Sequence, residues 1–220
     1  MNKAYLYKRL ALDLIYPNRC PFCDNYIPFD EYYCTDCGNR LSPPPEYDEY
    51  ANIDGFTAVT AYDDYSIPFI NMMKKESSGY ALSAAAFMIF QSVASSELLD
   101  SIDVITYVPM RRRDKLRRGY NQTAIMAHEL AQLAEKPCIP LLKKVRDTLQ
   151  QKTLGVADRR KNVKGAFAYK SRLNLSGKSV LLIDDICTTG STLNEAAAKL
   201  KAAGAASVAA AVFAKTKKIT

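Results

Sequence analysis

No run of about 18 apolar residues occurs in the sequence. The longest candidate, around Ala81 to Phe90, is short and built of small side chains, which argues against a helix that crosses a bilayer. Histidine is almost missing. The single one, His128, sits among Ala127, Glu129 and Leu130 on a predicted helix with no triad partner in view, so it is assigned to packing or surface rather than to catalysis. No secretory leader is expected, because Lys8, Arg9 and Asp13 interrupt the helically spaced Leu6, Leu10 and Leu14. A cytoplasmic chain without membrane insertion is therefore expected. No internal repeat is present.

What is there suffices for a real core: 220 residues with 48% hydrophobic side chains make one ordinary domain plus an attachment. The formal net charge of +7 conceals a division. Residues 1–100 carry 7 basic and 14 acidic side chains, and residues 101–220 carry 23 and 9. The second half should attract polyanions such as nucleic acid or phosphorylated metabolites.

Four of the six cysteines form two close pairs, Cys20 with Cys23 and Cys34 with Cys37. Two such pairs can surround one Zn²⁺ tetrahedrally and leave no position for water, so the ion would be structural. Gly38, directly after the second pair, is read as the place where the backbone turns. Two disulfides or four free thiols are the competing readings, and the spacing favours zinc. The proline-rich acidic stretch of residues 42–50 reads as a stiff linker. The expected division is 1–50 for an N-terminal helix, the four-cysteine module and the linker, and 51–220 for the main domain.

In that second part strand patterns at 55–62, 102–108, 139–145, 166–168, 179–183 and 208–213 alternate with helical ones at 67–75, 81–94, 121–134 and 192–203. The alternation predicts an α/β domain with a mostly parallel sheet. Residues 146–165 are polar and aperiodic, as in a long functional loop.

Ligands of such sheets gather at the carboxyl ends of the strands. There the strand at 180–183 runs into Asp184 and Asp185, then Ile186, Cys187 and the small-residue loop Thr188, Thr189, Gly190, Ser191, Thr192. That loop offers backbone N–H groups, hydroxyls and a positive helix end to a monophosphate. Two carboxylates beside it call for ligand hydroxyls or a metal ion, and a sugar phosphate satisfies both demands. Cys187 is assigned to packing under the loop. A second strand, closed by Pro109, leads into Arg111, Arg112, Arg113, Lys115, Arg117 and Arg118 on the same edge, well suited to a pyrophosphate. Lys152, Arg159 and Arg160 in the long loop could close over the ligand.

The aliphatic run, paired acids and T-T-G-S-T loop resemble the phosphoribosyl pyrophosphate signature of type I phosphoribosyltransferases. The resemblance implies that Asp184 and Asp185 hold the ribose 2′ and 3′ hydroxyls and act as catalytic acids of the site. It also implies that Thr188, Thr189, Gly190, Ser191 and Thr192 hold the 5′-phosphate. Thr188 stands where oxopurine-salvage members carry an acid, which argues against oxopurine salvage. The four-cysteine finger, V-P-x-R-R-R-x-K-L-R-R-G-Y-N-Q, Q-x-x-L with R-x-x-N-V-x-G-A-F, and the acidic loop together resemble the ComF family of competence proteins. That likeness implies a type I phosphoribosyltransferase-like domain preceded by a small zinc module, in a bacterial cytosolic protein needed for DNA uptake in natural transformation.

If the chain is a transferase, Mg²⁺ would accompany phosphoribosyl pyrophosphate, and Arg111 to Arg113 with Lys115 would stabilise the departing pyrophosphate. Residues 53–100 would form a hood over an acceptor, with Tyr62, Tyr65 and Lys74 as candidate contacts. As a binding module, the same cations with Tyr120, Phe167 and Tyr169 would hold single-stranded DNA. A third reading is a phosphoribosyl pyrophosphate or nucleotide sensor that docks a helicase-type partner.

Overall fold

A computed structural model of the chain describes residues 17–46, 49–75, 79–146 and 163–217, together with 7, 10, 11, 14 and 15. Most of the expected N-terminal helix lies outside the described residues, as do Lys152, Arg159 and Arg160.

Four parallel strands build the central sheet in the order β1-β6-β5-β2: β1 (Gly55–Ala61), β2 (Val104–Tyr107), β5 (Ser179–Cys187) and β6 (Ser207–Lys215). The two central strands are buried on both faces, as a covered parallel sheet requires. Their alternation sorts side chains into two cores. Leu181, Ile183, Ala209, Ala211 and Phe213 face helices α3 (Gly79–Ser95) and α5 (Gln122–Ala134). Val180, Leu182, Val208, Ala210 and Val212 face α6 (Ser191–Ala202), Leu141 and Phe167. Ala84, Ala85 and Ala86 are fully enclosed, and side chains that small let α3 sit close to its neighbours.

Among the described residues there are also α1 (Thr35–Asn39), α2 (Ser66–Met72), a 3-10 turn (Leu99–Ser101), α4 (Arg112–Arg118) and a separate antiparallel pair, β3 (Leu142–Lys144) with β4 (Phe167–Tyr169). The expected strands at 139–145 and 166–168 therefore form, but outside the main sheet. Two differences from the sequence reading bear on the site. The strand expected to stop at 183 continues through both acids to Cys187, because Asp184, Ile186 and Cys187 pair with Val212, Ala214 and Lys215 of β6. The basic run after β2, to which the sequence reading assigned no element, is a helix, α4.

The cysteine module packs on the α/β layers rather than hanging from them. Phe22 stacks on Phe69 at 4.3 Å and on Tyr65 at 5.8 Å, and Tyr32 stacks on Phe87 at 4.2 Å. Gly38 lies inside α1, so it serves no sharp turn. A side chain there would meet the Tyr33 ring, with Tyr33 Cε2 2.6 Å from the Cβ position.

Candidate functional site

Register decides where the acids stand. Tyr107, the last residue of β2, pairs with Ile183, and the Val108 N–H donates to Ile183 O at 3.0 Å. Strand β5 then outruns its neighbour and carries Asp184 and Asp185 past the end of β2. Both acids stand at the carboxyl edge of the sheet, where open α/β sheets place their ligands.

Each acid is held by backbone and by neighbours. The Asp185 N–H donates to Asp184 Oδ1 at 2.9 Å, and the Ile186 N–H donates to Asp185 Oδ1 at 2.8 Å. Gln122 Nε2, from the first turn of α5, donates to Asp185 Oδ2 at 3.1 Å. Lys74 Nζ, from the turn after α2, lies 3.8 Å from the same oxygen. Burial, reinforced by the Asp185 carboxylate, pushes Asp184 well above its ordinary value of 3.8. Lys144 pulls in the opposite direction without reversing the shift.

Past Cys187 the loop turns into α6 through Gly190, the N-cap residue, at φ 67° and ψ −2°. That left-handed conformation favours glycine. Thr189 Oγ1 and Ser191 Oγ lie 2.8 Å apart, and the Thr216 hydroxyl donates to Thr188 O at 3.4 Å. Cys187 is enclosed in the α6-side core, and burial raises its thiol, in keeping with a packing role. Arg111 caps α4 just beyond the end of β2, on the same edge as the acids, and Arg112, Arg113 and Lys115 follow on that helix, Arg113 and Lys115 exposed.

Other expected contacts are placed differently. Tyr65 donates its hydroxyl to Cys37 O at 3.2 Å and stacks on Phe22, so it belongs to the junction with the cysteine module. Phe167 is 3% exposed and cannot offer its face to a nucleic-acid base, since the alternation of β4 turns it inward. Tyr120 donates to the Met73 and Lys75 carbonyls, pinning the turn that carries Lys74. His128 packs with its ring 6.1 Å from that of Tyr107. The acid-holding role of Gln122 was missed in the sequence, although the residue closes the G-Y-N-Q segment. Its amide reaches Asp185 only because α5 and β5 meet in three dimensions.

The four cysteines converge. Their sulfurs all lie within 4.8 Å of one another, and Cys23 Sγ and Cys34 Sγ are 3.7 Å apart. A tetrahedral Zn²⁺ with bonds of about 2.3 Å sets its sulfurs about 3.8 Å apart, so the residues fit the ion. The pairs are free thiols rather than disulfides. Asn18 anchors the turns by donating Nδ2 to Pro28 O at 2.8 Å and to Glu31 O at 2.7 Å. Burial raises the Cys20 thiol, but the N–H groups of Cys34, Phe22 and Cys23 outweigh it and bring the thiol to about 7. Cys37, without such donors, is pushed by burial to about 12.

Comparison with known proteins agrees with both halves of this picture. Residues 117–219 match the phosphoribosyl transferase domain, and residues 11–47 match the double zinc ribbon domain. Only four cysteines fall within 11–47, enough for one tetrahedral ion. The chain is 28% identical over 186 residues to competence protein F of Haemophilus influenzae, covering 84% of this chain and 80% of that protein. It is 26% identical over 215 residues to the DNA utilization protein YhgH of Escherichia coli K12, covering 91% of each. Among solved structures, the glutamine phosphoribosylpyrophosphate amidotransferase of B. subtilis aligns with 60% of this chain and 26% of its own, at 22% identity and a TM-score of 0.41. With a cysteine cluster shaped for zinc, a match to the phosphoribosyl transferase domain and competence and DNA utilization proteins as relatives along most of its length, the chain resembles the ComF family of competence proteins.

Proposed function

We propose that the chain binds phosphoribosyl pyrophosphate, or a closely related sugar phosphate, at the carboxyl edge of the sheet, and that it works on single-stranded DNA in the cytosol during DNA uptake. One observation supports this above the rest: β5 outruns β2, so that two carboxylates stand next to a loop whose glycine N-cap opens α6. Hydroxyls of a pentose donate to Asp184 and Asp185. The 5′-phosphate accepts from the N–H groups and hydroxyls of Thr188 to Thr192. Arg111, Arg112, Arg113 and Lys115 take the pyrophosphate, whose planar guanidinium partners stay charged at every relevant pH. Mg²⁺ bound with the ligand supplies charge neutralisation. Lys152, Arg159 and Arg160 are proposed to complete the site.

The reading has a direct test. Calorimetry with phosphoribosyl pyrophosphate and Mg²⁺ should show binding to the wild type and none to the Asp184→Asn, Asp185→Asn double variant. Single-stranded DNA binding, followed by fluorescence anisotropy, should survive in that variant, because the basic surface is untouched. Release of pyrophosphate on adding DNA or nucleobases would identify a transferase. Binding without release would make the ligand a signal and favour a helicase-type partner as its reader. A wild type that binds no sugar phosphate overturns the proposal.

A further inference from the structure

The described residues of the proline-rich stretch expected to be a spacer, 42–46 and 49–50, meet the carboxyl ends of three strands in turn. At its start Ser42 O accepts from Thr60 Oγ1 at 2.8 Å and from the Ala61 N–H at 3.0 Å, at the end of β1. Further on, Glu46 O accepts from Lys215 Nζ at 2.8 Å, at the end of β6. Lys215 is 2% exposed, so this carbonyl solvates a buried ammonium and is costly to release. Tyr50 then reaches the end of β5, its hydroxyl 3.7 Å from Cys187 Sγ. Its ring lies where a Cβ on Gly190 would stand. From there the chain descends along α6, with the Asn52 N–H and Nδ2 both donating to Asn194 Oδ1 at 3.1 and 3.2 Å.

We infer that Tyr50 is a positioning residue for the phosphate loop, the proline-rich segment serving as a wall of the site rather than as a tether. The inference rests on the sugar-phosphate reading above. A left-handed glycine has the widest choice of conformations in the chain, and an anion-binding loop must have its N–H groups aimed before the ligand arrives. Packing a flat, rigid ring on the glycine removes that freedom. Glu49, Tyr50 and Ala51 line one side of a hollow of about 400 Å³ whose other side is formed by Thr189, Ser191 and Asn194. The ring therefore touches the same loop as the ligand, from the flank.

The test uses the full-length, zinc-loaded protein and three probes: phosphoribosyl pyrophosphate with Mg²⁺, ribose 5-phosphate, and inorganic pyrophosphate. Tyr50→Ala should weaken the two sugar phosphates by about tenfold or more, since loop order would be spent on binding. Inorganic pyrophosphate, which needs only the α4 cations, should bind as to the wild type. Tyr50→Phe keeps the ring that packs on Gly190 and should stay within about twofold of the wild type. If Tyr50→Ala unfolds, Tyr50→Leu takes its place with the same expectation. Unchanged or tighter sugar-phosphate binding by the Ala or Leu variant overturns the inference, as does an equal loss for inorganic pyrophosphate. A wild type that ignores all three probes overturns the site reading itself, a distinct result.

Discussion

At the scale of single residues, the site stores cost that substitutions should release. Asp184 has its folded-state value raised above 3.8 by burial and by Asp185. A raised carboxyl gives its full contribution to stability in acid and loses it as pH climbs from 3.8 toward the folded-state value. Asp184→Asn carries no such dependence. It should therefore melt with the wild type near pH 4 and above it near pH 8, each kcal/mol recovered being worth about 2–4 °C for a chain of this size. Scanning calorimetry across that range checks the sign, and a variant less stable at pH 8 than the wild type would contradict it. Gly190→Ala should move the other way. A left-handed alanine costs about 1–2 kcal/mol, and the new methyl meets the Tyr50 ring, so the loss should shrink in a Tyr50→Ala background. A double-mutant cycle in urea measures that coupling.

At the scale of elements, the cysteine module and helices α2 and α3 act together through aromatic stacks. Thiolates are the metal ligands, so loading the cluster must expel protons, most of all from Cys37, held at about 12 without the ion. Zinc affinity should accordingly fall as pH falls, as a chelator competition at several pH values would show. Stripping the metal should also lower the main melting transition, because Phe22 reaches from the module to Phe69 and Tyr65. Phe22→Ala should cost about 1–3 kcal/mol and should make the main transition less sensitive to the chelator. Equal sensitivity in the two proteins would show that the module and the sheet are joined by something other than this stack. The cysteine spacing was legible in the sequence because a thiolate pair two residues apart has few other uses. The stacks were not, since no pattern in residues 17–46 announces which ring of another element each aromatic will meet.

For the whole molecule, opposite charge on the two halves of the chain predicts that any grip on single-stranded DNA comes from residues 101–220 and weakens steeply with salt. Anisotropy titrations at rising salt should give a strongly negative slope, reduced by Arg113→Ala with Lys115→Ala, two exposed cations of α4. Sugar-phosphate binding, being sheltered, should respond less. By itself the sequence determined the alternation of strands and helices, the four-cysteine cluster, and the paired acids with the small-residue loop after them, because these depend on hydrophobic period and on residue types set close along the chain. Only the tertiary structure decided that β5 outruns β2, that Gln122 and Lys74 converge on Asp185, that Phe167 faces inward, and that Tyr50 packs on Gly190. Those features come from strand register and from packing between residues far apart in the chain, which no local pattern encodes.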